Sequence, residues 1–149
     1  MRSIGPAIAL SATLGAGLAG AAAAEEHGMF IIHALDQPPG EAAALVRAHA
    51  EAEDDWLFLA EFGLAGGSVT ALKICYPEIG PDIVAAGMHT MAMMPCGHLA
   101  FYDDDGQSML SMLHPAFMSE LDPHPRLEDA VATVTPAFAE MLSEVLGVN

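Results

Sequence analysis

A tight turn constrains this chain more than any other feature. Asp103-Asp104-Asp105-Gly106 separates the strand-like run His98–Tyr102 from a second run, Gln107–Leu113. Asp-Gly supplies the positive-φ positions that a two-residue hairpin needs. The second run alternates Met109, Ser111 and Leu113 with Ser108, Leu110 and Met112, the period of a strand. An antiparallel pair is therefore expected here, and the rest of the chain must build around a sheet. The acidic run is not a calcium loop, because it lacks alternating ligand spacing and the Glu at position 12.

The remaining elements follow from apolar period and breakers. Met29–Leu35 reads as a strand closed by Asp36-Gln37-Pro38-Pro39-Gly40. Glu41–Glu53 is Ala-rich with helical spacing of Leu45, Val46 and His49, and Glu41 suits the positive end of the helix dipole. Trp56–Phe62 and Val69–Tyr76 read as strands joined by a Gly-rich connection, with Pro77 ending the second. Ile79–Gly87 reads as a short helix and Pro115–Pro125 as a loop. Leu127–Leu146 carries one apolar stripe and is expected to be a helix capped by Gly147 and kinked or split at Pro136. The order is β-α-β-β-α-β-β-α. It predicts an α+β domain, a five-stranded antiparallel or mixed sheet with helices packed on one face.

The first 24 residues read differently. Arg2 gives a positive start, Ile4–Leu18 is apolar and small, and Ala21–Ala24 offers a small-residue cleavage site before Glu25-Glu26. That is the pattern of a secretory signal peptide. A stretch so rich in Ala and Gly is a poor permanent span, and no cysteine near the site invites a lipid anchor. The chain thus divides into a signal at 1–24 and a single domain at 25–149. The expected location is periplasmic or secreted, with no membrane span after cleavage.

Composition narrows the partners. The chain carries 20 Asp and Glu against 4 Lys and Arg, a formal net charge of −16. Such a surface repels phosphate backbones and anionic lipid, which excludes nucleic acid. At 53% hydrophobic residues the 149-residue chain has enough apolar material for one core. A small ligand, a basic protein partner or a second copy of the chain are the partners left open.

Ile74-Cys75-Tyr76-Pro77, a short helix, then Met94-Pro95-Cys96-Gly97-His98-Leu99-Ala100-Phe101-Tyr102 and an acidic turn with Gly106 form a connected pattern. It resembles the domain of unknown function 302 family, over most of residues 25–149 and best from Val69 to Leu113. Tyr76 stands where that family usually keeps Asn. The resemblance implies a compact α+β domain with helices on a curved sheet, and no established reaction.

Two cysteines follow the signal, Cys75 and Cys96. In an oxidising compartment an even pair is expected to form a disulfide, closing a loop of about 20 residues. The alternative is a reversible thiol pair, although no Cys-x-x-Cys is present. Between them, Met88–His98 concentrates soft donors. Seven of its eleven residues carry thioether, imidazole or thiol. Thioether and thiolate favour Cu(I), and imidazole extends such a site to Cu(II). Met94, Cys96 and His98 share one parity of an extended segment, and His89 or Met91 would arrive from the preceding turn. A bridge to Cys75 competes for Cys96. Against the metal stands ordinary packing, since Met fills cores and loops well.

His33 alternates with Ile31 and Leu35 and is expected to point to the covered face as a neutral imidazole. His114 and His124 are expected in solvated loops. No Gly-x-Ser-x-Gly, phosphate loop or dinucleotide fingerprint occurs. The sequence therefore predicts an exported, non-enzymatic binding or accessory domain, with copper as candidate metal. A thiol-disulfide or sulfur-handling protein using Cys75 and Cys96 is the alternative.

Overall fold

The computed structural model describes residues 25–93 and 96–149; residues 1–24, where a signal peptide is expected, and Met94 and Pro95 lie outside them. Six strands form one sheet: β1 (Glu25–His27), β2 (Phe30–Leu35), β3 (Leu57–Leu64), β4 (Val69–Cys75), β5 (Gly97–Asp104) and β6 (Gln107–Leu113). The spatial order is β1-β2-β6-β5-β4-β3, and every neighbouring pair is antiparallel. Among the described residues, four α-helices complete it: α1 (Pro39–Ala52), α2 (Gly80–Ala86), α3 (Phe117–Leu121) and α4 (Pro125–Leu146). This is the α+β class read from the sequence, with one short edge strand, β1, added to the five expected.

The β5–β6 hairpin turns at Asp105 and Gly106, whose φ values are 50° and 86°. Asp103 Oδ1 accepts a 2.9 Å bond from the Gly106 N–H, which closes the turn. Alternation then sorts the sheet. Leu35, Leu72, Ile74, Leu99, Phe101, Leu110 and Met112 point to one face and form the core with the helices.

Helix α1 begins at Pro39, whose missing N–H costs nothing in a first turn. Ala42, Ala43, Val46 and Ala50 are buried along one side. These small residues let the helix approach the sheet closely. Helix α4 buries Leu127, Ala130, Val134, Phe138, Met141, Leu142 and Leu146. Gly147 caps it in the left-handed region at φ 73°.

Three local expectations change. Helix α4 is not split at Pro136 but runs unbroken from Pro125 to Leu146. Pro136 is exposed, and the buried stripe on both sides of it holds the two halves against one core. The 115–125 loop contains α3, because burying Phe117 and Met118 outweighs the cost of a short helix. His124 is not an idle loop residue: it caps α4, its Nδ1 accepting from the Arg126 N–H at 3.1 Å.

Candidate functional site

The site begins with the cysteines. Register pairs Ile74 with Gly97 across β4 and β5. Cys75 and Cys96, one residue beyond on each side, are joined in a disulfide. The bridge closes the crossover that contains α2 and the Met-rich segment.

That segment forms a 3₁₀ turn, Met88–Met93. Met88 and Met91 are exposed, at 71% and 47%. Thr90 is buried between them, its hydroxyl within reach of the Ile83 carbonyl at 2.9 Å and the Gly87 carbonyl at 2.7 Å. His89 turns elsewhere, its Nε2 lying 2.9 Å from Asp122 Oδ2. His98 sits on β5 in register with Lys73. Partial desolvation of its ring, followed by the Lys73 charge, lowers its pKa, while a backbone bond at Cys96 opposes the shift.

The expected copper donors are therefore placed as follows. Met94 lies outside the described residues. Cys96 gives its sulfur to the bridge. His89 pairs with Asp122, Met91 is exposed on the turn, and His98 stands on the sheet. Among the described residues, no group of three or more His, Cys, Asp or Glu is arranged to hold a metal ion.

Two hollows lie along α4. The first is polar, about 240 Å³, and combines His49, Glu53, Asp55, Glu140 and Glu144 with the rings of Trp56 and Tyr76. Trp56 lies 5.1 Å from Tyr76 and 4.9 Å from Phe138, centroid to centroid. Tyr76 donates a 2.8 Å bond to Glu78 Oε2. That bond first, then desolvation and the charges of Glu78, Asp55 and Glu140, raises the Tyr76 pKa.

The second hollow is largely apolar, about 190 Å³, and lies where β2 and β6 meet α4 and the C-terminus. Ile31, Met112, Phe138, Leu142 and Val148 supply its hydrocarbon wall. Four polar residues interrupt that wall: His33, His114, Thr135 and Asn149. His33 is 5% exposed, and burial lowers its pKa, so it is a neutral imidazole at neutral pH. His33 Nδ1 and Thr135 Oγ1 are both buried without a hydrogen-bond partner among the described residues. His114 Nδ1, by contrast, accepts from the Ala116 N–H at 3.0 Å. Orphaned buried polar atoms are uncommon, and two beside one apolar hollow mark it as a ligand site.

Sequence reasoning placed His33 on the covered face but did not find this hollow. Its walls come from four separate stretches of chain, and nothing in any one of them signals a cavity. The unpaired state of His33 depends on which α4 residue faces it.

A small α+β sheet layer with a disulfide at its central crossover, and hollows between sheet and helices, defines the class. Within it, the chain belongs to the family described as "Domain of unknown function DUF302", whose sequence profile matches residues 55–146. A solved structure is similar in fold: an uncharacterized conserved DUF302 protein from Bacillus stearothermophilus, with 12% identity and a TM-score of 0.67. The match covers 79% of this chain and 98% of that one. No curated protein matches the chain.

Proposed function

We propose that this chain is an exported, non-enzymatic binding domain that holds a small, mostly apolar molecule in the hollow beside His33. The observation that carries the reading is the buried Nδ1 of His33, without a partner among the described residues, at a mostly hydrocarbon wall. An unpaired buried polar group costs about 1–3 kcal/mol, and a ligand that satisfies it recovers that cost. A cavity of roughly 150 Å³ lined by aliphatic and aromatic side chains accepts benzene. The 190 Å³ here suits a six-membered ring with one hydrogen-bonding substituent. Export is supported by Arg2, the apolar run and Ala21–Ala24, and the Cys75–Cys96 bridge is compatible with an oxidising compartment. Among the described residues, no helix is long and apolar enough to cross a membrane.

Phenol and benzene are the test pair. Both should raise Tm, phenol by more. His33→Leu should keep the benzene shift and lose the phenol advantage. No shift with either probe would reject the hollow as a site.

Exposure of the Met88 and Met91 thioethers on one turn favours a second reading, Cu(I) capture. With Cys96 in the bridge, such a site would rest on thioethers, and reduction of the bridge would add a thiolate. Anaerobic Cu(I) competition on Met88→Leu/Met91→Leu tests it: affinity equal to wild type rejects the site. The thiol-disulfide alternative is tested by a redox titration of Cys75 and Cys96. A bridge that stays closed across the glutathione range rejects that alternative.

A further inference from the structure

All four helices pack on the side of the sheet that carries Leu72, Ile74, Leu99 and Phe101. Among the described residues, no helix lies on the opposite side. Its composition follows from the register. Ile32, Ser111, Ala100, Ala71 and Phe62 line up across one row of β2, β6, β5, β4 and β3. Ala34, Met109, Tyr102, Val69 and Leu64 form the next. The third row pairs Phe30 with Leu113 and Lys73, itself only 8% exposed, with His98. No Asp or Glu stands in these rows between β2 and β3, although the chain holds 20 of them; on the edge strand β1, Glu25 is in register with Ile32. The carboxylates begin at the border, at Asp104 of the hairpin. On the helical side, Glu41, Glu51, Glu128, Asp129, Glu140 and Glu144 are exposed. Phe30, Phe62 and Leu64 are each about half exposed, at 50%, 51% and 50%.

We infer that this open sheet face is the interface of a symmetric homodimer, in which two copies stack their carboxylate-free faces. Charge selects the occupant. Two chains of net −16 repel each other through nearly every other surface. Across β2 to β3 of this face two copies meet without bringing carboxylates together, and a twofold axis sets the same rows against each other. Area agrees. Five strands about 4.8 Å apart and three rows deep cover roughly 500 Å² per copy. Two such faces reach about 1,000 Å², the lower limit of a specific interface. Sheets stacked this way lie about 10 Å apart and interdigitate their side chains, as in a sandwich. An exposed apolar patch of this size on a monomer otherwise promotes aggregation.

The test uses the full chain, expressed with its own N-terminal segment and recovered in the processed form the host leaves. Sedimentation equilibrium should give a dimer with Kd of about 1–100 µM. Phe62→Asp places a carboxylate in the face of each copy and should yield a monomer with unchanged far-UV circular dichroism. Ser111→Asp, in the middle of the same row, is the second variant if the first fails to fold. Leu121→Asp, 71% exposed in α3 on the helical side, should leave the dimer intact. A monomeric wild type, or a dimer that survives both face variants, overturns the proposal. So does deuterium exchange that is slowed on association only along β3, since that marks edge-to-edge pairing. Protection of the face only in protein that retains residues 1–24 assigns it to that segment and likewise overturns the dimer.

Discussion

Phe138 of α4 lays its ring edge against the backbone of Gly97, in the space where a side chain at position 97 would stand. Leu99 Cδ1 bounds the same space at 3.3 Å. Gly97 is buried at the first position of β5, one residue after the bridged Cys96. Phe138 also meets Trp56 edge to face at 69° and lines the apolar hollow beside His33. One glycine thus lets the longest helix reach the sheet at the point where the disulfide ties β4 to β5.

Gly97→Ala should therefore destabilise the fold by overpacking, by about 1–3 kcal/mol in denaturant unfolding. Its φ is not in the left-handed region, so the penalty is steric. Gly97→Ala combined with Phe138→Leu should lose less than the two single changes added, with a coupling of about 0.5–3 kcal/mol. Strict additivity would show that the ring and the glycine do not compete for the same space.

Removing the bridge should cost stability as well. Cys75→Ala/Cys96→Ala frees a crossover whose ends are 21 residues apart in sequence. A loop of that size is worth about 3 kcal/mol in the chain-entropy model. The urea midpoint should fall while the slope changes only through a less compact unfolded state. An unchanged midpoint would mean that β4–β5 pairing alone holds the crossover.

Local chemistry was legible where the physics is local. Asp105-Gly106 announces its turn because few residues accept positive φ, and Gly147 announces a helix end for the same reason. The cysteine pair was legible from its even count and from the expectation of an oxidising compartment. Pro136 does not divide α4, because the loss of one backbone hydrogen bond is outweighed by a buried stripe extending over the whole helix. The edge strand Glu25–His27 is too short to show a period. The Met-rich segment was visible as composition, but composition does not reveal that His89 pairs with Asp122, 33 residues away. The hollow beside His33 was hidden for a related reason. A cavity is the absence of atoms between elements, and no residue in the sequence encodes it alone.

Thr90 offers a sharper local test. It is 1% exposed, and its hydroxyl can donate to the carbonyls of Ile83 and Gly87 at the end of α2. Those carbonyls belong to a helix end that has few partners of its own. Thr90→Val keeps the shape and removes the donor, so it should cost about 1–3 kcal/mol by leaving a buried acceptor unpaired. Thr90→Ser should retain most of that term and lose only a methyl contact. Equal losses for both variants would show that packing, not the hydroxyl, matters at this position.

His33 sets a pH dependence whose sign is fixed. Burial lowers its pKa in the folded state below the usual 6.5. Below that value the unfolded chain binds a proton that the folded chain resists, so the unfolded state gains. The stability this site allows is fully present above pH 6.5 and is lost as pH falls from there through the lowered folded value. His98 contributes in the same direction, since its pKa is lowered too. His33→Leu should remove part of the acid sensitivity and leave the part due to His98. At about pH 8 the substitution should be neutral or stabilising, because it replaces an orphaned buried nitrogen with hydrocarbon. The measurement is the urea midpoint of wild type and His33→Leu at about pH 8 and about pH 5. A variant that loses as much stability on acidification as wild type would show that His33 stays neutral in both states or finds a partner when protonated.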